Sequence, residues 1–267
     1  MSAIDDLFRH LRAAGRKAFM PFVTAGDPDL EFTAAVLREL VAQGSHLCEL
    51  GIPYSDPIAD GPVIQASYTR ALDRQIKLAH IMNMLSGLTP QLPAPLVTMV
   101  SYSIVFRQGP EAYLDQALAS GVSGAIVPDL PWEESGPLAQ LCRQRDFSLI
   151  HLITPTTKPD RAKRIAERCT GFIYYVSVTG ITGERTELPP EIVDNVAWLR
   201  QQTPLPICVG FGISRPEHVR RLAPVADGLI VGSAIVRRIA EAGTRPRDQI
   251  LVEIGRYVQE LLAALQA

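Results

Sequence analysis

Short apolar runs recur along the chain, and after most of them apolar residues return every three or four positions. The runs are AFMPFVT (18–24), HLCEL (46–50), PLVTMVSY (95–102), GAIVPD (124–129), SLIHLIT (148–154), FIYYVSV (172–178), PICVGF (206–211) and GLIVG (228–232). Between them lie DLEFTAAVLRELVAQ, GPEAYLDQALAS, PDRAKRIAERC, RPEHVRRLAPV and similar amphipathic stretches. The first kind predicts strands and the second helices. A further amphipathic helix, MSAIDDLFRHLRAAGRK, precedes the first strand, and RDQILVEIGRYVQELLAALQ closes the chain. Strands alternating with helices predict eight β/α units. Strands that are apolar on nearly every residue indicate a parallel sheet covered on both faces. An open doubly wound sheet and a closed (β/α)8 TIM barrel both fit that pattern. The open sheet ordinarily opens with G-x-G-x-x-G after its first strand, whereas FVTAGDPD holds one glycine. The expectation is therefore α/β, a TIM barrel with an extra N-terminal helix, as a single domain over 1–267.

Composition narrows the function classes. Of 267 residues 47% are hydrophobic and 20% charged, enough for a sizeable core. A net charge of −2 gives no electrostatic case for nucleic acid or an anionic membrane. The four cysteines, Cys48, Cys142, Cys169 and Cys208, form no C-x-x-C pair, and the five histidines form no H-x-H or H-x-x-x-H pair. Neither a disulfide framework nor a metal site is expected. The acid-bearing N-terminus does not resemble a secretory signal, and no apolar run approaches the roughly 18 residues of a membrane span. A cytoplasmic globule is expected.

In a TIM barrel the chemistry sits at the C-terminal ends of the strands. The unusual strand end here is ELGIPYSDPIADGPVIQ (49–65). Glu49 falls inside a strand. Facing the barrel interior, its carboxyl would be pushed toward the protonated form that an acid/base catalyst uses; facing outward, it would pair with a helix. Asp60 is a candidate for catalysis or for the N-cap of the next helix. Asp56, before Pro57, is a candidate turn former. Glycine-rich turns follow the last three strands: VTGITG (178–183), GFGIS (210–214) and GSAIV (232–236). Gly212 and Gly232-Ser233 stand after the last two, where backbone amides and a helix N-terminus bind phosphate in such barrels. Phe22, Tyr102 and Tyr174 lie at strand ends, as pocket walls or as core. RTELPPE (185–191) has the polar character of a lid.

Taken together, ELGIPYSDPIADGPVIQ, PFVTAGDP, VPDLPWEES, YYVSVTGITGERTELP, VGFGIS and VGSAIV resemble the tryptophan synthase alpha chain family over essentially the whole chain. The resemblance implies a β/α barrel that splits indole-3-glycerol phosphate into indole and glyceraldehyde 3-phosphate. It implies Glu49 as catalytic acid/base and Asp60 as its carboxylate partner, with Gly183, Gly212, Gly232 and Ser233 on the substrate phosphate. It places Phe22, Tyr102, Tyr174 and Thr182 around the substrate and Asp56 on the loop facing a beta chain. That partner would carry pyridoxal phosphate in an αββα assembly, with no cofactor in this chain. Ser103-Ile104 departs from the Asn common after the tyrosine in relatives. Two other readings compete. One is another phosphosugar barrel, such as an isomerase or aldolase, of which a Schiff-base aldolase needs a strand lysine that none of the eight runs contains. A non-catalytic scaffold would be expected to lack Glu49 or Asp60.

Overall fold

The computed structural model describes residues 2–57, 60–176 and 189–266. Among these, nine strands pair in parallel: β1 (Ala18–Thr24), β2 (Cys48–Gly51), β3 (Leu96–Met99), β4 (Gly124–Ile126), β5 (Ser148–Ile150), β6 (Leu152–Ile153), β7 (Ile173–Val176), β8 (Ile207–Gly210) and β9 (Gly228–Val231). Their order in the sheet is β5-β4-β3-β2-β1-β9-β8-β7-β6. The two ends of that order, β5 and β6, are the arms of one stretch, SLIHLIT, interrupted only at His151. Ile150 pairs with Ile126 on one side and Leu152 with Tyr174 on the other. At the interruption the His151 N–H donates to Cys169 Sγ at 3.3 Å and its carbonyl accepts from the Tyr174 N–H at 3.1 Å. The sheet thus closes on itself through His151, giving the eight staves of a TIM barrel.

Alternation along each strand divides the interior in two. Ala18, Met20, Phe22, Val97, Met99, Ile126, Ile150, Tyr174, Cys208 and Ile230 point into the barrel. Phe19, Val23, Cys48, Leu50, Ala125, Leu149, Ile173, Val209 and Leu229 point outward against the helices. Apart from Leu152 on β6, every strand residue is buried, which is why a period of two was invisible in the sequence.

The N-terminal helix, Ala3–Ala13, seals the barrel's N-terminal end. Ser2 caps it by accepting from the Asp5 N–H at 3.2 Å, and Asp5 accepts in return from the Ser2 N–H at 3.0 Å. Ile4, Phe8 and Leu11 all enter the inner cluster, and Phe8 meets Phe172 at 5.7 Å between ring centroids.

Three local features differ from the expectation. The third strand ends at Met99, because Ser101 caps a short helix, Tyr102–Gln108. Two helices, Pro62–Asp73 and Leu78–Leu88, separate β2 from β3. PWEES (131–135), whose proline and two acids suit a helix start, instead forms a turn, with Ser135 Oγ donating to the Trp132 carbonyl at 2.8 Å, and the helix begins only at Gly136. No helix among the described residues is long and apolar enough to cross a membrane.

Candidate active site at the C-terminal end of the barrel

The position of Glu49 follows from strand parity. On β2, Cys48 and Leu50 belong to the outer cluster, so Glu49 must point inward. Its Cα partners are Phe22 on β1 and Val97 on β3, both members of the inner cluster. Glu49 is 1% exposed, and its Oε1 has no hydrogen-bond partner among the described residues. No arginine or lysine pairs with it there, so the outward, salt-bridged alternative is not the one adopted. Burial, reinforced by the nearby charge of Asp60, pushes its carboxyl up to about 8.

Asp60 lies just ahead of helix Pro62–Asp73, but the cap of that helix is Gly61, with no side-chain cap. The Asp60 N–H donates to the Pro57 carbonyl at 3.2 Å, and Gln65 Nε2 donates to the Asp60 carbonyl at 2.7 Å. Its backbone is thus fastened, and its carboxylate lines the same cleft as Glu49. Burial raises it less, to about 6. Near neutral pH one proton therefore resides on the pair, on Glu49, while Asp60 is ionised.

The rest of the cleft is aromatic and aliphatic: Phe22, Tyr174 and Phe211, with Ile64, Met99 and Ile213. Tyr174 and Phe211 meet edge to face at 5.8 Å. Gly51 permits the wall to close, because a Cβ there would stand 2.5 Å from Phe22 Cζ and 2.8 Å from the Tyr68 hydroxyl. At the mouth Phe211 and Gly212 both take positive φ, 75° and 76°. The strain of a left-handed phenylalanine is of the kind held at functional sites. Gly232 and Ser233 complete this side, Ser233 being the first residue of helix Ser233–Ala240. The unpaired N–H groups of a helix's first turn favour an anion. Among the described residues no lysine or arginine lines this cleft, so such an anion would rest there on amides.

A second cavity, about 190 Å³, shares Asp60 and Met99 with the cleft and is lined by Tyr54, Asp56, Tyr68 and Asp129. Asp56 stands exposed at its rim, accepting from Ser55 Oγ at 2.7 Å. Tyr102 is not brought into the cleft. Its ring leans on Phe106 at 6.1 Å, and its N–H donates to Asp129 Oδ1 at 2.7 Å. Asp129 Oδ2 also accepts from Ser101 Oγ at 2.6 Å, so one carboxylate organises this rim, including Ser103, whose hydroxyl meets that of Ser101 at 2.9 Å. Thr182 and Gly183, and most of RTELPPE, lie outside the described residues.

Sequence reasoning passed over Tyr68, Phe211 and Asp129. Tyr68 had a signal: Ile64, Tyr68 and Ala71 recur at helical spacing on the buried face of Pro62–Asp73. Burial and the two carboxylates push its phenol well above its ordinary value, so it stays a neutral hydroxyl. Among the described residues no three histidine, cysteine or acidic side chains converge as a metal site. A larger cavity, about 880 Å³, lies at the other end of the barrel, and among the described residues no aspartate or glutamate lines it.

Comparison with known proteins adds to this geometry. A family model described as "Tryptophan synthase alpha chain" matches residues 8–265. A protein of that name from Rhodopirellula baltica is 56% identical over 277 residues, covering 100% of both chains. Its counterpart from Rippkaea orientalis is 45% identical, covering 100% of this chain and 99% of its own. Among solved structures, tryptophan synthase subunit alpha from Legionella pneumophila superposes with a TM-score of 0.90 at 33% identity, over 100% of this chain and 99% of that one. A chain of Mycobacterium tuberculosis tryptophan synthase superposes at 0.89 and 28% identity, with coverage of 100% and 99%.

Proposed function

The chain belongs to the tryptophan synthase alpha chain family, and from that premise we propose how its residues divide the retro-aldol cleavage of indole-3-glycerol phosphate to indole and glyceraldehyde 3-phosphate. Breaking the bond between indole C3 and the glycerol carbon requires a proton on C3 and the loss of a proton from the side-chain hydroxyl. Glu49, protonated near neutral pH, delivers the first. The positive charge that then grows toward the ring nitrogen is met by ionised Asp60, which accepts from the ring N–H. As the carbon–carbon bond breaks, its electrons return to the indole ring. The Glu49 carboxylate takes the hydroxyl proton, the aldehyde forms, and Glu49 is restored to its starting state.

The observation that best supports this reading is the split between two carboxylates in one cleft, one raised to about 8 and the other to about 6. Phe22, Tyr174 and Phe211 offer flat apolar walls for an indole. Gly212, Gly232 and Ser233, with Gly183 assigned from the family resemblance, would hold the phosphate through amides. Thr182 is assigned to the substrate side on the same resemblance, whereas Tyr102, whose ring lies against Phe106 outside the cleft, has the resemblance alone in its favour. The second cavity and Asp56 face the surface given to a beta chain, which would carry pyridoxal phosphate and take up the indole in an αββα assembly. The chain acts as one cytoplasmic barrel domain without a cofactor of its own.

The test is release of indole from indole-3-glycerol phosphate by the purified chain, with and without a beta chain. The isolated chain should be a slow catalyst. Its partner should accelerate it by roughly one to two orders of magnitude, or about 1.4–2.7 kcal/mol of barrier. No indole under either condition would overturn the assignment.

A further inference from the structure

The cavity of about 880 Å³ at the N-terminal end of the barrel has the opposite chemistry to the active site. Three separate elements bring cations to it. Arg16 and Lys17 come from the turn before β1, His46 from the turn before β2, and Arg220 from helix Pro216–Leu222. Among the described residues no aspartate or glutamate lines it. Two acids close to these cations are already engaged: Asp227, whose charge acts on Lys17, accepts from Arg12 at 3.3 Å and Arg200 at 2.8 Å, and Glu217 meets Arg220 itself at 3.6 Å on the exposed surface. Lys17 is pulled below its ordinary value by burial and by Arg200 and Arg12, and Asp227 only partly offsets this.

His46 makes the excess of donors explicit. The Phe19 N–H donates to its Nδ1 at 3.1 Å. Burial and Arg16 hold its imidazolium form down to about 4, so at neutral pH the ring is uncharged. A neutral imidazole that accepts at Nδ1 carries its proton on Nε2. Yet Nε2 stands 3.1 Å from the Arg16 guanidinium, which can only donate. Two donors therefore face each other at the cavity's open edge, and among the described residues neither meets an acceptor there.

We infer that this cavity binds a small organic phosphate, bridging Arg16 and the His46 Nε2–H and reaching Lys17 and Arg220. Cations arriving from several directions suit the spread oxygens of a tetrahedral phosphate better than a planar carboxylate. Ala223 and Leu265, which also line the cavity, accept the apolar body. The site is separate from the proposed substrate phosphate cradle, which lies at the opposite end of the strands.

The test is nitrogen-15 NMR of the histidine side chains in the full-length chain, with the His46 signals assigned from His46→Gln. Free protein should show neutral His46 protonated on Nε2. Phenyl phosphate should shift that signal at low-millimolar concentration, and inorganic phosphate should do so more weakly. In Arg16→Gln/Arg220→Gln the half-saturation point should rise by about tenfold or more, while KM for substrate cleavage stays unchanged. Gly212→Leu should leave the titration as it is. A neutral His46 protonated on Nδ1 would overturn the inference, as would a shift undiminished in the double variant. Equal affinity for the two probes would overturn the organic body, and a shift lost in Gly212→Leu would assign the effect to the active site.

Discussion

Glu49 and Asp227 are both acids almost without solvent exposure, 1% and 4%, on the two ends of the same barrel. Asp227, before β9, is saturated. It accepts from Arg12 Nε at 3.3 Å, Arg200 at 2.8 Å and the Ile207 N–H at 3.0 Å. Glu49, on β2, leaves an oxygen unpartnered and carries its proton into the neutral range. Asp27, beside the active end, follows the first pattern: Arg70 grips it bidentately at 2.8 and 2.7 Å and ties helix Pro62–Asp73 to the loop after β1. A buried acid with all its partners holds structure. One deprived of them stores an unfavourable interaction that a substrate can relieve, which is why catalytic groups and structural ion pairs differ in satisfaction rather than in burial.

The sharpest way to break this comparison is to remove each acid's charge. Glu49→Gln should lower kcat by about 10²–10⁴-fold while KM changes little, measured by indole release. Stability should move the other way. Glu49 has a folded pKa raised above its unfolded value, so its proton stabilises the fold at low pH. That contribution is lost as pH rises from about 4.5 through about 8. The variant should therefore lose less stability than wild type across that window in urea titrations. An equal loss would mean that Glu49 is no stored cost.

Asp227→Ala should do the reverse. It removes the acceptor shared by Arg12, Arg200 and the Ile207 amide, costing about 1–3 kcal/mol in urea unfolding, since both guanidinium groups are partly exposed and keep carbonyl acceptors at Pro204 and Val225. The kcat of the folded fraction should stay near wild type. A catalytic defect as large as that of Glu49→Gln would erase the distinction between the two ends.

Smaller effects sharpen the account of the acidic end. Activity should rise as pH passes about 6, when Asp60 ionises, and fall as it passes about 8, when Glu49 loses its proton. Asp60→Asn should reduce kcat by about tenfold or more, less than Glu49→Gln, since an amide oxygen still accepts from a ring N–H. It should also abolish the acid limb and move the alkaline limb downward, because the Asp60 charge is part of what raises Glu49. An unmoved alkaline limb would leave burial as the sole cause. The smallest effect belongs to the sealed end. Ser2→Ala removes a cap and the 2.9 Å contact with Ser148 Oγ, and should cost about 1 kcal/mol in thermal unfolding with no change in kcat.

Much of this molecule is written locally. The eight apolar runs mark the staves, because a strand buried on both faces must be apolar throughout. The glycines at 212 and 232 and the acids at 49 and 60 stand at strand ends, where a barrel puts its chemistry. Family resemblance attached roles to them. What the residues themselves left open was direction. Whether Glu49 faced the barrel or the helices depended on its parity relative to Phe22 and Val97, which only the closed sheet and its register define. Asp60 was an equally good cap until helix Pro62–Asp73 was seen to start from Gly61. Tyr102 read as the end of a strand, but Ser101 and Asp129, 28 residues apart, begin a helix there and turn its ring to the rim. The raised values of the two carboxylates, and the cations of the opposite cavity, have the same origin. Desolvation and mutual charge are properties of groups distant in sequence that become neighbours on folding. Sequence therefore determined the elements and the kinds of residue at their ends, while tertiary structure alone decided which way each acid faced and which charges it met.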